Sequence, residues 1–167
     1  ANFSYVNPAA PKGGDLRQEL FPRLRSHFQF VNELKLFADV DHHVKFSINI
    51  FGPSQPIKFA HIANLFAPKT VDICLEHDGH GHVPGIKNDE NKWNTAGHFD
   101  RIVTITDTQL KVFVQLYDEA GTPLRRARLP ALHAGALSGV LCKLADYPLR
   151  LADLQDDYCS IIMFDEN

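Results

Sequence analysis

Between residues 43 and 51 apolar and polar side chains alternate, with Val44, Phe46, Ile48 and Ile50 against His43, Lys45, Ser47 and Asn49. A strict period of two places the apolar set on one face of an extended chain, the mark of a half-buried strand. Two apolar runs precede it, Phe28–Val31 and Leu34–Val40, and Asp41-His42 supplies polar turn residues for a hairpin. Similar runs recur at Ile57–Ile62, Thr70–Leu75, Phe99–Thr106 and Gln109–Tyr117. The last two predict a second hairpin across Asp107-Thr108, its second arm carrying Leu110, Val112, Val114 and Leu116 on one face. Leu124–Leu129 and Tyr158–Phe164 read as further strands, and Gly52–Pro56 and Asp118–Pro123 as turns between runs. A succession of short strands with turn punctuation predicts a mostly β fold, an antiparallel β-sandwich or small barrel.

Helical spacing is rarer. Asp15 with Gln18 resembles a capping box ahead of Leu16, Leu20 and Leu24, but Pro22 limits that helix to a short or kinked piece. One late helix is expected where Leu137, Val140, Leu141 and Leu144 follow the i, i+3, i+4, i+7 pattern, with Pro148 beyond its end. Residues 1–14 hold Pro8, Pro11, Gly13 and Gly14 and few large apolar groups, so they read as an extended N-terminal arm. The expected organisation is therefore the arm (1–14) and a single β-rich domain (15–167).

Composition sharpens what is excluded. The chain has 167 residues, 44% of them hydrophobic, and a formal net charge of −3. That apolar content is too high for a disordered segment, and no apolar run approaches the roughly 20 residues of a membrane span. Acidic groups outnumber basic ones and the pI is near 6.3, which argues against binding to a nucleic-acid backbone. A soluble domain is expected. The start at Ala1 rather than Met is compatible with a processed secreted or periplasmic form and leaves the compartment open. Cys74, Cys142 and Cys159 are widely spaced and read mainly as small buried hydrophobes, with a Cys142–Cys159 bridge as the one pairing of note.

Candidate chemistry concentrates in Glu76-His77-Asp78-Gly79-His80-Gly81-His82. Neutral imidazole nitrogens suit zinc, copper and iron, and Gly79 and Gly81 can take the positive φ that lets a backbone curl around an ion. In an extended segment His80 and His82 project to the same side. His77 would be a third ligand, and Glu90 or His98 would complete the shell of a divalent transition metal. Asp39, Asp41, His42 and His43 form a second polar cluster, read as turn chemistry at the tip of the first hairpin, with convergence on the histidine loop as the alternative. Arg125, Arg126 and Arg128 make a local basic patch, read as a solvated edge.

Two short resemblances stand beside these readings. Tyr5 to Arg17 is similar to the opening of some peptide-type extracellular solute-binding proteins, whose two-lobed fold needs a far longer chain. His80-Gly81-His82 with Glu90 and Gly97 resembles part of the cupin metal motif, which implies a divalent ion held in a β-barrel. Seven residues separate His82 from Glu90, longer than the family norm, and Pro130-Ala131-Leu132-His133 lacks the glycine of a second motif.

No Gly-x-Ser-x-Gly elbow, phosphate loop or EF-hand spacing occurs, so no catalytic residue is assigned. Two functions follow. One is a non-enzymatic interaction or assembly module whose arm contacts a protein partner or a neighbouring subunit. The other is a divalent-metal-binding protein, or a cupin-like metal-dependent enzyme, built on residues 76–98.

Overall fold

The computed structural model describes residues 2–4, 11–149 and 153; the strand expected at Tyr158–Phe164 and Cys159 lie outside them. In chain order the elements are β1 (Asn2–Ser4), α1 (Gly14–Leu20), β2 (Leu24–Val31), β3 (Lys45–Phe51), β4 (Lys58–Leu65), α2 (Lys69–Glu76), β5 (Val103–Thr106), α3 (Asp107–Tyr117) and α4 (Ala136–Asp146). The strands form one open sheet in the order β1-β3-β2-β4-β5. Strand β2 runs antiparallel to β3 and parallel to β4, while β4 and β5 are antiparallel, so the sheet is mixed. Helix accounts for 35% and strand for 21% of the structure, which overturns the mostly β sandwich or barrel.

The reason lies in the polar positions of the strands. On β2, Phe28 and Phe30 turn to one face, where Phe46 and Ile48 of β3, Ile62 of β4 and Val71 and Cys74 of α2 complete an apolar cluster. On the opposite face Phe59, Val103 and Ile105 pack with Leu110 and Phe113 of α3 and with Leu129 and Leu132. His27, Gln29, Ser47, Asn49 and His61 share that second face, and all five are buried. The alternation at 43–51 therefore does mark a strand, but its polar side is covered by protein at Ser47 and Asn49 and meets water only at His43 and Lys45. A sheet covered on both faces needs flanking helices, which two runs expected to be strands supply.

Residues 107–117 form α3 because Thr106 and Gln109 build a capping box: Thr106 Oγ1 accepts from the Thr108 amide at 3.3 Å, and Gln109 Oε1 accepts from the Thr106 amide at 3.2 Å. The run 110–117 is apolar at both periods, and this cap settles it as helix. Leu110 and Phe113, three residues apart, are the ones that become buried. The second hairpin is thus a strand-to-helix junction. Residues 70–75 likewise lie in α2, whose first turn is preceded by Pro68, a residue suited to helix starts, and whose buried positions Thr70 and Cys74 are four apart. Leu34–Val40 is no strand either; Asn32–Leu34 is a single 3-10 turn and an irregular excursion follows. Leu124–Leu129 opens as a 3-10 turn at Leu124–Arg126.

The late helix forms as expected, at α4. Helix α1 also forms, but Gly13 is its N-cap and no side chain caps it, so the Asp15–Gln18 box is absent; Asp15 instead meets Arg126 at 2.8 Å. Within the arm, Asn2–Ser4 pair with Ser47–Asn49 of β3, and residues 11–13 form a 3-10 turn leading into α1. Among the described residues Cys74 and Cys142 are free thiols, and the Cys142–Cys159 pairing lies outside them.

Candidate metal centre

The five residues singled out in and beside the histidine loop do not converge. His77 follows the last residue of α2; its Nδ1 accepts from the Gly79 amide at 2.9 Å, and its ring lies 4.2 Å from that of His98. His98 is buried, its Nδ1 accepts from the Asp100 amide at 3.1 Å, and its Nε2 has no partner among the described residues. His80 and His82 are exposed, and Glu90 pairs with Lys92 at 2.6 Å. Gly79 and Gly81 do take positive φ, 83° and 97°. The curl is real, yet of the five only His77 and His98 are seen in contact.

A different set of ligands does come together. Among the described residues, Glu33, His42 and His43 form the group of three whose ligand atoms all lie within 4.8 Å of one another. Glu33 sits in the 3-10 turn at the end of β2, and His42 and His43 lie just before β3. The link between them is Asn32. This fully buried side chain donates to the carbonyls of Phe37 at 2.9 Å, Val40 at 2.9 Å and Asp41 at 3.2 Å, and accepts from the Phe37 amide at 2.9 Å. One amide thereby fixes the path of residues 37–41. The backbone amide of Asn32 closes the loop on the Val44 carbonyl at 3.0 Å, and Lys35 turns the chain in a left-handed conformation, φ 54°. Phe37 adds an apolar tether, its ring edge-on to Phe46 at 5.1 Å. The excursion from 35 to 44 is so returned over Glu33.

Asp41 orients the second imidazole. Its Oδ1 accepts from the His43 amide at 2.8 Å and lies 3.2 Å from His43 Nδ1. The first of these bonds, with the neighbouring histidines, holds the Asp41 carboxyl below its ordinary pKa and so ionised at neutral pH. A carboxylate on Nδ1 fixes the ring and its tautomer and leaves Nε2 for an ion, the usual outer partner of a ligating histidine.

Beside this cluster opens a cavity of about 420 Å³, lined by Val31, Glu33, His43, Lys45, Asn64, Phe66 and Trp93. Trp93 belongs to the loop at 76–94 and packs against buried Phe66, ring centres 4.7 Å apart and planes tilted by 32°. His43 of the 39–43 cluster and Trp93 line this depression together.

The basic patch has its own role. Arg126 meets Asp15, Arg128 meets Asp118 at 2.8 Å, and buried Arg17 donates twice to the Arg126 carbonyl. These contacts tie α1 to the segment after α3. No family model, no curated protein and no solved structure matches this chain.

Proposed function

We propose that this chain binds a divalent transition metal through Glu33, His42 and His43. The single observation that carries the reading is the approach of one carboxylate and two imidazoles to within 4.8 Å of one another around the closure of the 32–44 loop. Two histidines and a carboxylate with coordination positions left open suit zinc or non-haem iron, and a water or a substrate atom would take the remaining positions. Asp41 on His43 supports the same reading as the outer-sphere partner. When bound, the ion supplies Lewis acidity; the chain's own part is to hold three ligands on one short loop stapled by Asn32. The alternative, an assembly module acting through residues 1–14, has less to stand on, since Asn2–Ser4 are already hydrogen-bonded to β3.

Trp93 is the single tryptophan of the chain and lines the adjoining cavity, so its emission reports on the site. Titration of tag-free protein with copper(II) should quench that emission at one equivalent. His42→Ala/His43→Ala should weaken the quenching roughly 100-fold or more, beyond the usual effect of losing an outer partner alone. His80→Ala/His82→Ala should leave it unchanged. Quenching that survives the first pair of substitutions, or that vanishes with the second, would refute this assignment.

A further inference from the structure

The cavity next to the triad carries groups that metal binding alone does not call for. It is a depression open to solvent on one side, and its volume of about 420 Å³ leaves room for a small molecule to lie against the wall. Glu33 is the one carboxylate in its wall, and a divalent ion would engage it. Glu33 and the Asp41 carboxylate on His43 together balance a doubly charged ion, and Lys45, at the start of β3, then leaves one positive charge on the same wall. The electrostatic demand of the pocket is therefore for an anion.

The rest of the wall describes the body of that anion. Val31 and Phe66 are buried apolar residues, and Trp93 extends the surface. Lys87 Nζ sits 3.2 Å from the centre of the Trp93 ring, so a cation packs on the indole and holds it in place alongside Phe66. Asn64 brings an amide to the cavity from a backbone in the left-handed region, φ 55°. That conformation is held from behind by the buried guanidinium of Arg101, whose Nη2 donates to the carbonyls of Ala63 at 2.9 Å and Asn64 at 3.1 Å. Asparagine adopts this conformation readily, here at the register shift between Ile62 and Leu65 of β4, and the guanidinium fixes the direction in which residue 64 meets the depression.

We infer that this cavity binds a small organic carboxylate, its oxygens shared between the metal ion and Lys45 and its apolar body against Val31, Phe66 and Trp93. The inference rests on the proposed metal site. Its test is calorimetric titration of the zinc-loaded full chain with benzoate, acetate and benzamide. Benzoate should bind at least tenfold more tightly than acetate, which lacks the apolar body, and than benzamide, which lacks the charge. Lys45→Met should weaken benzoate binding at least tenfold while zinc stays bound. Absent benzoate binding on a chain that does hold zinc at Glu33, His42 and His43 would overturn this inference and leave the metal site standing. Equal binding of benzamide, or indifference to Lys45→Met, would overturn it as well. Failure of the chain to hold zinc at those three residues would remove the metal reading and this inference with it.

Discussion

Replacing Asn32 with alanine should cost about 3 kcal/mol of stability and abolish metal binding without touching any ligand. The side chain makes four hydrogen bonds to a loop whose residues 34–39 are exposed, with Phe37 on Phe46 as an aromatic tether. A typical buried hydrogen bond contributes about 1 kcal/mol net, and water can reach part of the exposed loop once the amide is gone, hence about 3 rather than 4 kcal/mol. For a domain of this size that corresponds to a fall of about 6–12 °C in the unfolding midpoint. Asn32→Asp is the sharper variant. It keeps the acceptor for the Phe37 amide but turns a carboxylate toward three carbonyl oxygens, so it should destabilise at least as much as alanine. Thermal unfolding and copper(II) titration of the same preparations check both halves. An Asn32→Ala chain that retains parental copper affinity would show that the loop path is set elsewhere.

The second large effect is acid lability from the buried histidine pair. His27 Nδ1 and His61 Nδ1 lie 2.8 Å apart across the parallel β2–β4 pair, a contact that requires one neutral ring to donate and the other to accept. Nε2 of each ring has no hydrogen-bond partner among the described residues, although the Pro130 carbonyl lies close enough to His61 to favour its protonation slightly. Burial pushes His61 from 6.5 down to about 4, and burial together with the neighbouring His61 holds His27 well below its ordinary value.

The sign follows from the lowered pKa values. Above pH 6.5 both folded and unfolded histidines are neutral and the pair's stability is present in full. Below it the unfolded rings take up protons that the folded ones refuse, and stability falls until the folded pKa is reached. For His61 alone the loss between pH 6.5 and 4 is about 3 kcal/mol, and His27 adds in the same direction. In the His27→Leu/His61→Leu chain both partners of the contact are gone, so stability at pH 7.5 should stay near the parental value while the fall between pH 6.5 and 4 flattens. Urea unfolding at several pH values measures this. Parallel pH profiles for the two chains would rule out the pair as the source.

These two effects also mark where the sequence was legible. Strand β3 could be read from its alternation, and β2 and β4 in large part from theirs. What could not be read was the fate of the other face: Gln29, Ser47 and Asn49 are residue types expected in water, and their burial beside His27 and His61 is a property of the covering helices, not of the strand pattern. The helix at 107–117 did carry a local signal, the Thr106-Asp107-Thr108-Gln109 box, which the apolar alternation at Leu110, Val112, Val114 and Leu116 outweighed. At α4 the helical spacing was right about the element and about Leu141, which packs on the core beside buried Ala145, but not about Leu137, Val140 and Leu144, which are exposed.

The site shows the same division. His42 and His43 stood out as a polar cluster, yet Glu33 gave no sign of belonging to them, nine residues away at the end of what looked like a strand boundary. Only the folding of residues 37–41 around the Asn32 amide joins the two. The histidine-rich loop had the stronger compositional signal. Composition concentrates imidazoles along the chain, while coordination needs them at one point in space, and among the described residues it is Glu33, His42 and His43 whose ligand atoms meet.

The most direct measurement is equilibrium dialysis of tag-free chain against zinc, with bound metal counted per chain. The parent should retain one zinc ion per chain above background, the Glu33→Gln/His42→Ala/His43→Ala chain none, and the His77→Ala/His80→Ala/His82→Ala chain one. Retention of the ion in the first variant and its loss in the second would place the metal in the histidine loop and contradict its assignment to Glu33, His42 and His43.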